Sequence, residues 1–196
     1  MRTNAIAYIM SSPQRRKIVR TLFSYSGRLW SCSDVEHLAK TPHATTYRTL
    51  FQLRDLDILK SQKVSKKNII FQEAKSPLVE ELKKLAFLEQ NIAKKIAKEF
   101  IKAIKNEEIV SAYLYGSTVT GNLKPESDID VLIILKKHDK RKEKRIYNKA
   151  DDIGYKGNKT ISPLIMDIKE LEEEKETQFI KSVKENHQRL YGKESL

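Results

Sequence analysis

Apolar residues recur at helical spacing through the first third of the chain. Ser12-Pro13 opens a first predicted helix. A second, short helix begins at Ser33, with Glu36 as its capping-box partner, and a third begins at Thr41-Pro42. Residues 58–71 then predict a β-hairpin with a basic tip. The predicted apolar face of the third helix comprises Tyr47, Leu50, Leu53 and Leu56.

A wide apolar stripe from Leu78 to about Ile104 predicts one long amphipathic helix. Such a helix can connect two domains, contribute to the second core, or pair with a copy of itself. The chain beyond it alternates between apolar strands and amphipathic helices. The predicted elements are strands Ile109–Tyr115 and Ile129–Lys136, a helix from about Lys140 to Ile153, a strand Lys159–Met166, and helices to the end.

Three helices followed by a hairpin are the element order of a winged helix-turn-helix. The run Thr45-Thr-Tyr-Arg-Thr-Leu-Phe-Gln-Leu-Arg-Asp-Leu-Asp-Ile-Leu59 resembles the recognition helix and the start of the wing in the winged-helix regulator family. Asp57 stands where that family usually has glycine, and aspartate tolerates the left-handed backbone needed there. The resemblance covers roughly the first 72 residues.

Charge is concentrated in the same segment. The chain has a net charge of +12, and residues 1–75 hold 14 Lys and Arg against 5 Asp and Glu. Such a concentration points to a polyanionic partner, although lysine-rich surfaces also keep proteins soluble.

The winged-helix resemblance implies a division of roles in binding DNA. Thr45, Thr46 and Arg48 would project into the major groove, while Lys66 and Lys67 would contact phosphates. Winged helices also mediate protein contacts, and Arg48 could instead pair with a nearby aspartate, Asp34 or Asp55.

Composition places the chain among soluble globular proteins, with 39% hydrophobic and 33% charged residues. No apolar run approaches the roughly 18 residues needed to span a bilayer, and the N-terminus lacks a signal-peptide cleavage pattern. The single cysteine, Cys32, excludes an internal disulfide. We therefore expect a cytoplasmic protein that is not associated with a membrane.

The strongest chemical motif is Tyr113-Leu-Tyr-Gly-Ser-Thr-Val-Thr-Gly121 followed by Ser127-Asp-Ile-Asp130. Because side chains alternate along a strand, Asp128 and Asp130 point to the same face. A divalent cation relieves the repulsion of two adjacent carboxylates, and oxygen ligands suit Mg²⁺ (or Mn²⁺). The Gly116-Ser117 turn lets backbone approach phosphate closely. Together these features predict a nucleoside-triphosphate site.

This motif resembles the nucleotidyltransferase superfamily of DNA polymerase β, and within it the minimal nucleotidyltransferases. The match runs over about residues 80–192 and includes Leu190-Tyr-Gly192. The resemblance implies that Asp128 and Asp130 are catalytic metal ligands and that Gly116, Ser117 and Ser127 bind nucleotide. The implied reaction transfers a nucleoside monophosphate from an NTP to an acceptor hydroxyl.

Two positions depart from the family pattern. The resemblance implies a third carboxylate on the next strand, where Ser162 aligns. Asp167 lies nearby and could supply it, but Asp167 and Glu170 also form a capping box for a following helix. Thr120 stands where relatives often place an arginine.

The predicted fold class is α+β. A winged helix-turn-helix (three helices plus a β-hairpin) occupies residues 1–75, a long linker helix 76–105, and a nucleotidyltransferase fold with a mixed sheet flanked by helices 106–196. The favoured function is a DNA-binding nucleotidyltransferase. The alternative is a transcription regulator whose degenerate transferase domain binds nucleotide without catalysis. We also expect a homodimer, and the family resemblance admits a small helical toxin partner.

Overall fold

The computed structural model describes residues 4–64, 68–105, 107–121, 127–193 and 195–196. The chain divides into two compact units, Met1–Leu88 and Glu89–Leu196. The single helix predicted between them is two helices, one ending at Ala86 and the next beginning at Leu88. The apolar stripe continues across the break without glycine or proline, so the periodicity alone did not reveal it.

The first unit combines five helices with a small antiparallel sheet in the described residues. Its elements are α1 Ala5–Met10, α2 Pro13–Ser24, β1 Trp30–Ser31, α3 Cys32–Ala39, α4 His43–Asp55, β2 Leu59–Lys63, β3 Ile69–Glu73 and α5 Pro77–Ala86. The strand order is β1-β3-β2. Trp30, Leu50 and Phe71 are fully buried at the centre of the unit's core, to which α5 contributes Val79 and Leu82.

The start of α3 differs from its predicted position. Helix α3 begins two residues early because Ser31 and Asp34 form the capping box, in place of Ser33 and Glu36. Both pairs have the same spacing, so sequence could not rank them. Asp57 has φ +58°, which confirms the left-handed backbone expected at that turn.

The second unit is built on a four-stranded mixed sheet. Its elements are α6 Leu88–Ile104, β4 Ile109–Leu114, α7 Ser117–Thr120, β5 Ile129–Leu135, α8 Lys140–Gly157, β6 Ile161–Asp167, α9 Ile168–Glu174, α10 Gln178–Glu185 and β7 Gln188–Gly192. The strand order is β6-β5-β4-β7, with β5 and β6 parallel and the other pairs antiparallel. The α+β class with a mixed sheet flanked by helices is confirmed.

Strand β5 is apolar on both faces because helices cover both sides of the sheet. Val131 and Ile133 face a core shared with α6 and α8. Leu132 and Ile134 face a second core that includes Leu171 of α9 and residues of α10. Burial on both faces explains the continuous apolar run and fixes the register of β5.

Strand β7 was missed, since the end of the chain was predicted to be helical. It pairs with β4, with Ala112 opposite Tyr191 and Leu114 opposite Gln188. As an edge strand with mostly exposed side chains it shows no hydrophobic alternation. Among the described residues, every helix is too short or too polar to traverse a bilayer.

Gly192 is expected to be essential to this edge pairing. It has φ +77°, and a Cβ there would collide with the carbonyl oxygen of Val110. Gly192→Ala should therefore destabilise the unit by about 3 kcal/mol or more, from backbone strain plus displacement of β7.

Gly121→Ala is the matched control, since Gly121 has φ +78° with open space around it. It should cost only about 1–2 kcal/mol for the left-handed backbone. Thermal or urea unfolding of both variants measures the difference in stability. Equal losses of stability would show that the collision with the Val110 carbonyl oxygen is not important.

Candidate functional site

The ends of β4 and β5 bring the glycine turn and the paired aspartates together. The Tyr115 backbone N–H donates to the Asp130 carbonyl oxygen at 3.1 Å, which extends the strand pairing to the turn. Gly116 follows with φ +69° and ψ −149°, a conformation that side-chain-bearing residues rarely adopt. The sheet itself therefore sets the position of the turn relative to Asp130.

Gly116 is required for a reason that the sequence did not reveal. A Cβ at this position would overlap Oδ2 of Asp130. The close approach of phosphate was the expected reason for a glycine here, whereas in the structure the Asp130 carboxylate already occupies the space beside Gly116.

Burial together with charge repulsion makes the Asp130 carboxylate a candidate site for a cation. Burial, followed by the nearby Asp128 charge, raises the pKa of Asp130. Burial and then Asp130 raise the pKa of the Tyr115 hydroxyl to about 12. A divalent cation held by the two carboxylates would relieve this repulsion, and its preference for oxygen ligands fits the residues present.

Ser162 lies beside the aspartates where a third carboxylate was expected. In the parallel pairing of β5 and β6 it is opposite Asp130. Its hydroxyl donates to Oδ2 of Asp128 at 3.2 Å. Ser162 is thus a neutral neighbour of the pair and adds no charge for a second cation.

Asp167 serves as the N-cap of α9. Its side chain accepts a hydrogen bond from the Glu170 backbone N–H at 2.9 Å, and Glu170 completes the capping box. It pairs with Leu135, at the opposite end of β5 from Asp130. Within the described ranges, no group of three or more His, Cys, Asp or Glu residues is placed to hold a metal ion.

The remaining predicted nucleotide contacts surround the same strand ends. Ser117 is the first residue of α7, and Ser127 directly precedes Asp128; both are half-buried. Thr120, where relatives often carry arginine, donates its hydroxyl to the Gly116 carbonyl at 3.3 Å. Sequence reasoning missed Tyr115, although its position directly before Gly116 was the available signal.

In the first unit, helix α4 carries the residues predicted to read DNA, and one of them is excluded. Thr46 is fully buried, and its hydroxyl shares a 2.8 Å hydrogen bond with Thr41. It cannot reach a DNA groove. Thr45 is half-buried and Arg48 is exposed. Tyr47, predicted to be in the core, is 47% exposed instead.

The alternative partners of Arg48 are engaged elsewhere. Asp55 pairs with Arg54 at 2.6 Å, and Asp34 is held by Ser31 in the α3 capping box. Among the described residues, no ion pair involves Arg48. Lys66 and Lys67, predicted to contact phosphates, lie outside the described residues.

Comparison with known proteins bears on the second unit. The model of the nucleotidyltransferase domain family matches residues 93–190, half of the chain. No curated protein matches significantly.

Three solved structures show more distant likeness. The antimony-specific transcriptional repressor AntR is 16% identical, with 45% of this chain and 76% of that chain covered at a TM-score of 0.38. A toxin–antitoxin structure with AMP-PNP is 16% identical, with 50% of this chain and 74% of that chain covered at a TM-score of 0.35. A spectinomycin adenyltransferase from Enterococcus faecialis with ATP and spectinomycin is 23% identical, with 55% of this chain and 57% of that chain covered at a TM-score of 0.38. All three TM-scores are below 0.5, which is too low to support a conclusion about the fold or function of this chain.

Removing the charge of Asp130 should stabilise the protein while eliminating its response to Mg²⁺. A carboxyl whose pKa rises on folding holds its proton more tightly in the folded state. The free energy of unfolding therefore falls as the pH rises from the ordinary pKa of aspartate, about 4, through the raised pKa of folded Asp130. At pH 7 Asp130→Asn should gain up to about 1 kcal/mol, an order-of-magnitude figure for a partly exposed group.

Thermal unfolding with and without Mg²⁺ measures both effects. The wild type should gain stability with Mg²⁺ and the variant should not, because only the ionised pair binds the cation. Asp152→Asn, an exposed substitution on α8, should behave as wild type. If the variant is less stable than the wild type without Mg²⁺, the ionised Asp130 carboxylate does not destabilise the folded protein.

Proposed function

The chain belongs to the nucleotidyltransferase domain family, and from that premise we propose that its second unit transfers a nucleoside monophosphate from an NTP to an acceptor hydroxyl. The observation that carries the proposal is the Asp128–Asp130 pair at the strand end, with the Asp130 carboxylate directly against Gly116. Two carboxylates beside a glycine turn provide adjoining sites for a cation and for phosphates.

Each residue of the site has a role in this reaction. Asp128 and Asp130 would hold Mg²⁺ (or Mn²⁺), which when bound neutralises phosphate charge and favours in-line displacement. Gly116, Ser117 and Ser127 would position the triphosphate. The acceptor oxygen forms a bond to the α-phosphorus and its proton is lost to solvent, while the bond from the α-phosphorus to the bridging oxygen breaks and pyrophosphate leaves.

Ser162 supports a second candidate, a regulator that senses nucleotide without transferring it. Its hydroxyl occupies the place beside Asp128 and Asp130 where a third acid would help bind the cation that activates the acceptor. On this alternative, nucleotide binding at the site would alter DNA binding by the protein.

We further propose that the first unit is a winged helix that binds DNA through α4. Its support is the element order, the excess of basic residues and the exposed Arg48, for which the described residues provide no ion-pair partner. Thr45 remains a candidate contact, and Thr46 does not. Homodimerisation, a small helical toxin partner and a cytoplasmic location remain predictions.

Label transfer tests the main proposal. The full-length protein is incubated with each α-³²P-labelled NTP, Mg²⁺ or Mn²⁺, and cell RNA, DNA or protein as acceptor. The wild type should transfer label and Asp128→Asn/Asp130→Asn should not. Metal-dependent nucleotide binding without transfer would establish the sensing alternative, and neither activity would refute both.

Ser162→Asp separates the two candidates further. An acid opposite Asp130 adds a ligand for a second cation, so transfer should rise by about tenfold or more where this missing ligand limits the rate. Ser162→Asn, which matches its size without its charge, is the control and should show no rise. Equal rates in both variants would show that Ser162 is not limiting.

Arg48→Ala should weaken binding to duplexes selected from a random pool by the wild type. Loss of a bidentate base contact costs about 1–3 kcal/mol, and loss of a phosphate contact reduces the salt dependence. Arg54→Ala is the control on the same helix, since Arg54 is already paired with Asp55. Fluorescence anisotropy measures both, and equal losses would argue against a specific role for Arg48.

A further inference from the structure

The side chain of Gln90 joins α6 to the short helix α7. Its amide Nε2 donates to the carbonyl oxygen of Thr118 at 2.8 Å and to that of Val119 at 3.2 Å. Gln90 lies one turn before the buried Ala93, so it shares the face through which α6 packs on its core. Val119 packs against the same core. The two hydrogen bonds therefore fasten α7 to the core-facing side of α6.

These two hydrogen bonds satisfy carbonyl groups that the local backbone does not. The carbonyl oxygens of the glycine turn, Gly116 and Ser117, accept from backbone N–H groups three to four residues later, at 3.0 to 3.1 Å. The carbonyls of Thr118 and Val119 lie at the end of α7, where a helix has no further N–H groups to offer. Both accept from Gln90 instead. Since a buried carbonyl without a partner is costly, Gln90 stabilises α7 and the turn that begins it.

Helix α7 depends on such support from outside because it is a single turn. It spans four residues, and a first helical turn fixes several backbone dihedrals for little hydrogen bonding in return. Thr118 is fully buried, yet its hydroxyl has no hydrogen-bond partner among the described residues. Burial of an unsatisfied hydroxyl opposes this conformation. The hydrogen bonds from Gln90 therefore counteract a cost that α7 carries within itself.

The carboxylates of the site are held in a different way. Asp130 lies in β5 and Asp128 directly precedes that strand, whose register is secured by apolar residues on both faces. Loosening α7 would thus displace the Ser117 hydroxyl and the Gly116 backbone while β5 keeps the carboxylates in place. The structure separates the support of the turn from the support of the carboxylate pair.

We propose that Gln90 is a positioning residue for nucleotide binding, which fixes the glycine turn for the triphosphate and leaves cation binding by the carboxylates unaffected. This inference rests on the proposed function in taking the triphosphate to bind at the turn. Gln90 lies outside residues 93–190, which match the family model. Its role is argued from the two hydrogen bonds alone.

Gln90→Met tests this role, because methionine has a similar length and removes both hydrogen bonds. The full-length protein is titrated by calorimetry with the α,β-methylene analogues of the four NTPs in the presence of Mg²⁺. The variant should bind the analogue preferred by the wild type about tenfold more weakly, as expected for the loss of two neutral hydrogen bonds. Its thermal stabilisation by Mg²⁺ alone should equal that of the wild type.

Asn91→Met is the matched control, since it replaces an exposed amide on the same turn of α6. It should bind the analogue as the wild type does. Hydrogen exchange measured by NMR without nucleotide follows the turn directly. In Gln90→Met the backbone amides of Val119, Thr120 and Gly121, which donate to the glycine turn, should exchange about tenfold faster. The amides of β5 should keep their wild-type rates.

Unchanged affinity for the analogue in Gln90→Met would overturn the proposal and leave the transferase function standing. Equal losses of nucleotide affinity and of the response to Mg²⁺ would also overturn it, because Gln90 would then support the whole site. If the wild type binds none of the analogues, the proposed function fails. In that case faster exchange of the three amides would still support the anchoring of the turn by Gln90, and unchanged exchange would overturn it.

Discussion

The close approach of the Asp130 carboxylate to the Gly116 backbone is the constraint on which the second unit's site depends. It forces a glycine at the end of β4. It also requires β4 and β5 to pair in one register, because a slip by one residue would turn Asp130 towards the opposite core. The apolar residues on both faces of β5 secure that register. Packing far from the carboxylates thus maintains a site in which the burial of Asp130, and then its repulsion with Asp128, opposes folding.

The chemical centre was predictable from sequence because it obeys a local rule. The two-residue period of a strand places Asp128 and Asp130 on one face, whatever the rest of the fold. The position of Ser162 also followed from aligning one apolar strand with the next. The cap role of Asp167 was favoured because Asp167 and Glu170 have capping-box spacing, and its position at the far end of β6 agrees with that role.

Features set by long-range contacts were not predictable. Strand β7 has little hydrophobic alternation and exists because β4 offers an edge. The cap of α3 depended on a choice between two equally spaced pairs. Thr46 was expected to face DNA, but its hydroxyl bonds to Thr41 in the interior. In each case a tertiary neighbour outweighed a plausible local pattern.

The order in which strands pair has a consequence for synthesis on the ribosome. The first unit's sheet closes within residues 30–73, so its partners emerge close together. In the second unit, one edge of β4 stays unpaired until β7 has been synthesised. Two strands and three helices (β5, α8, β6, α9 and α10) separate α7 from β7 in the chain. Open edges invite pairing with other nascent chains, and late closure prolongs that exposure. The nascent protein can therefore fold its first unit well before its second is protected from aggregation.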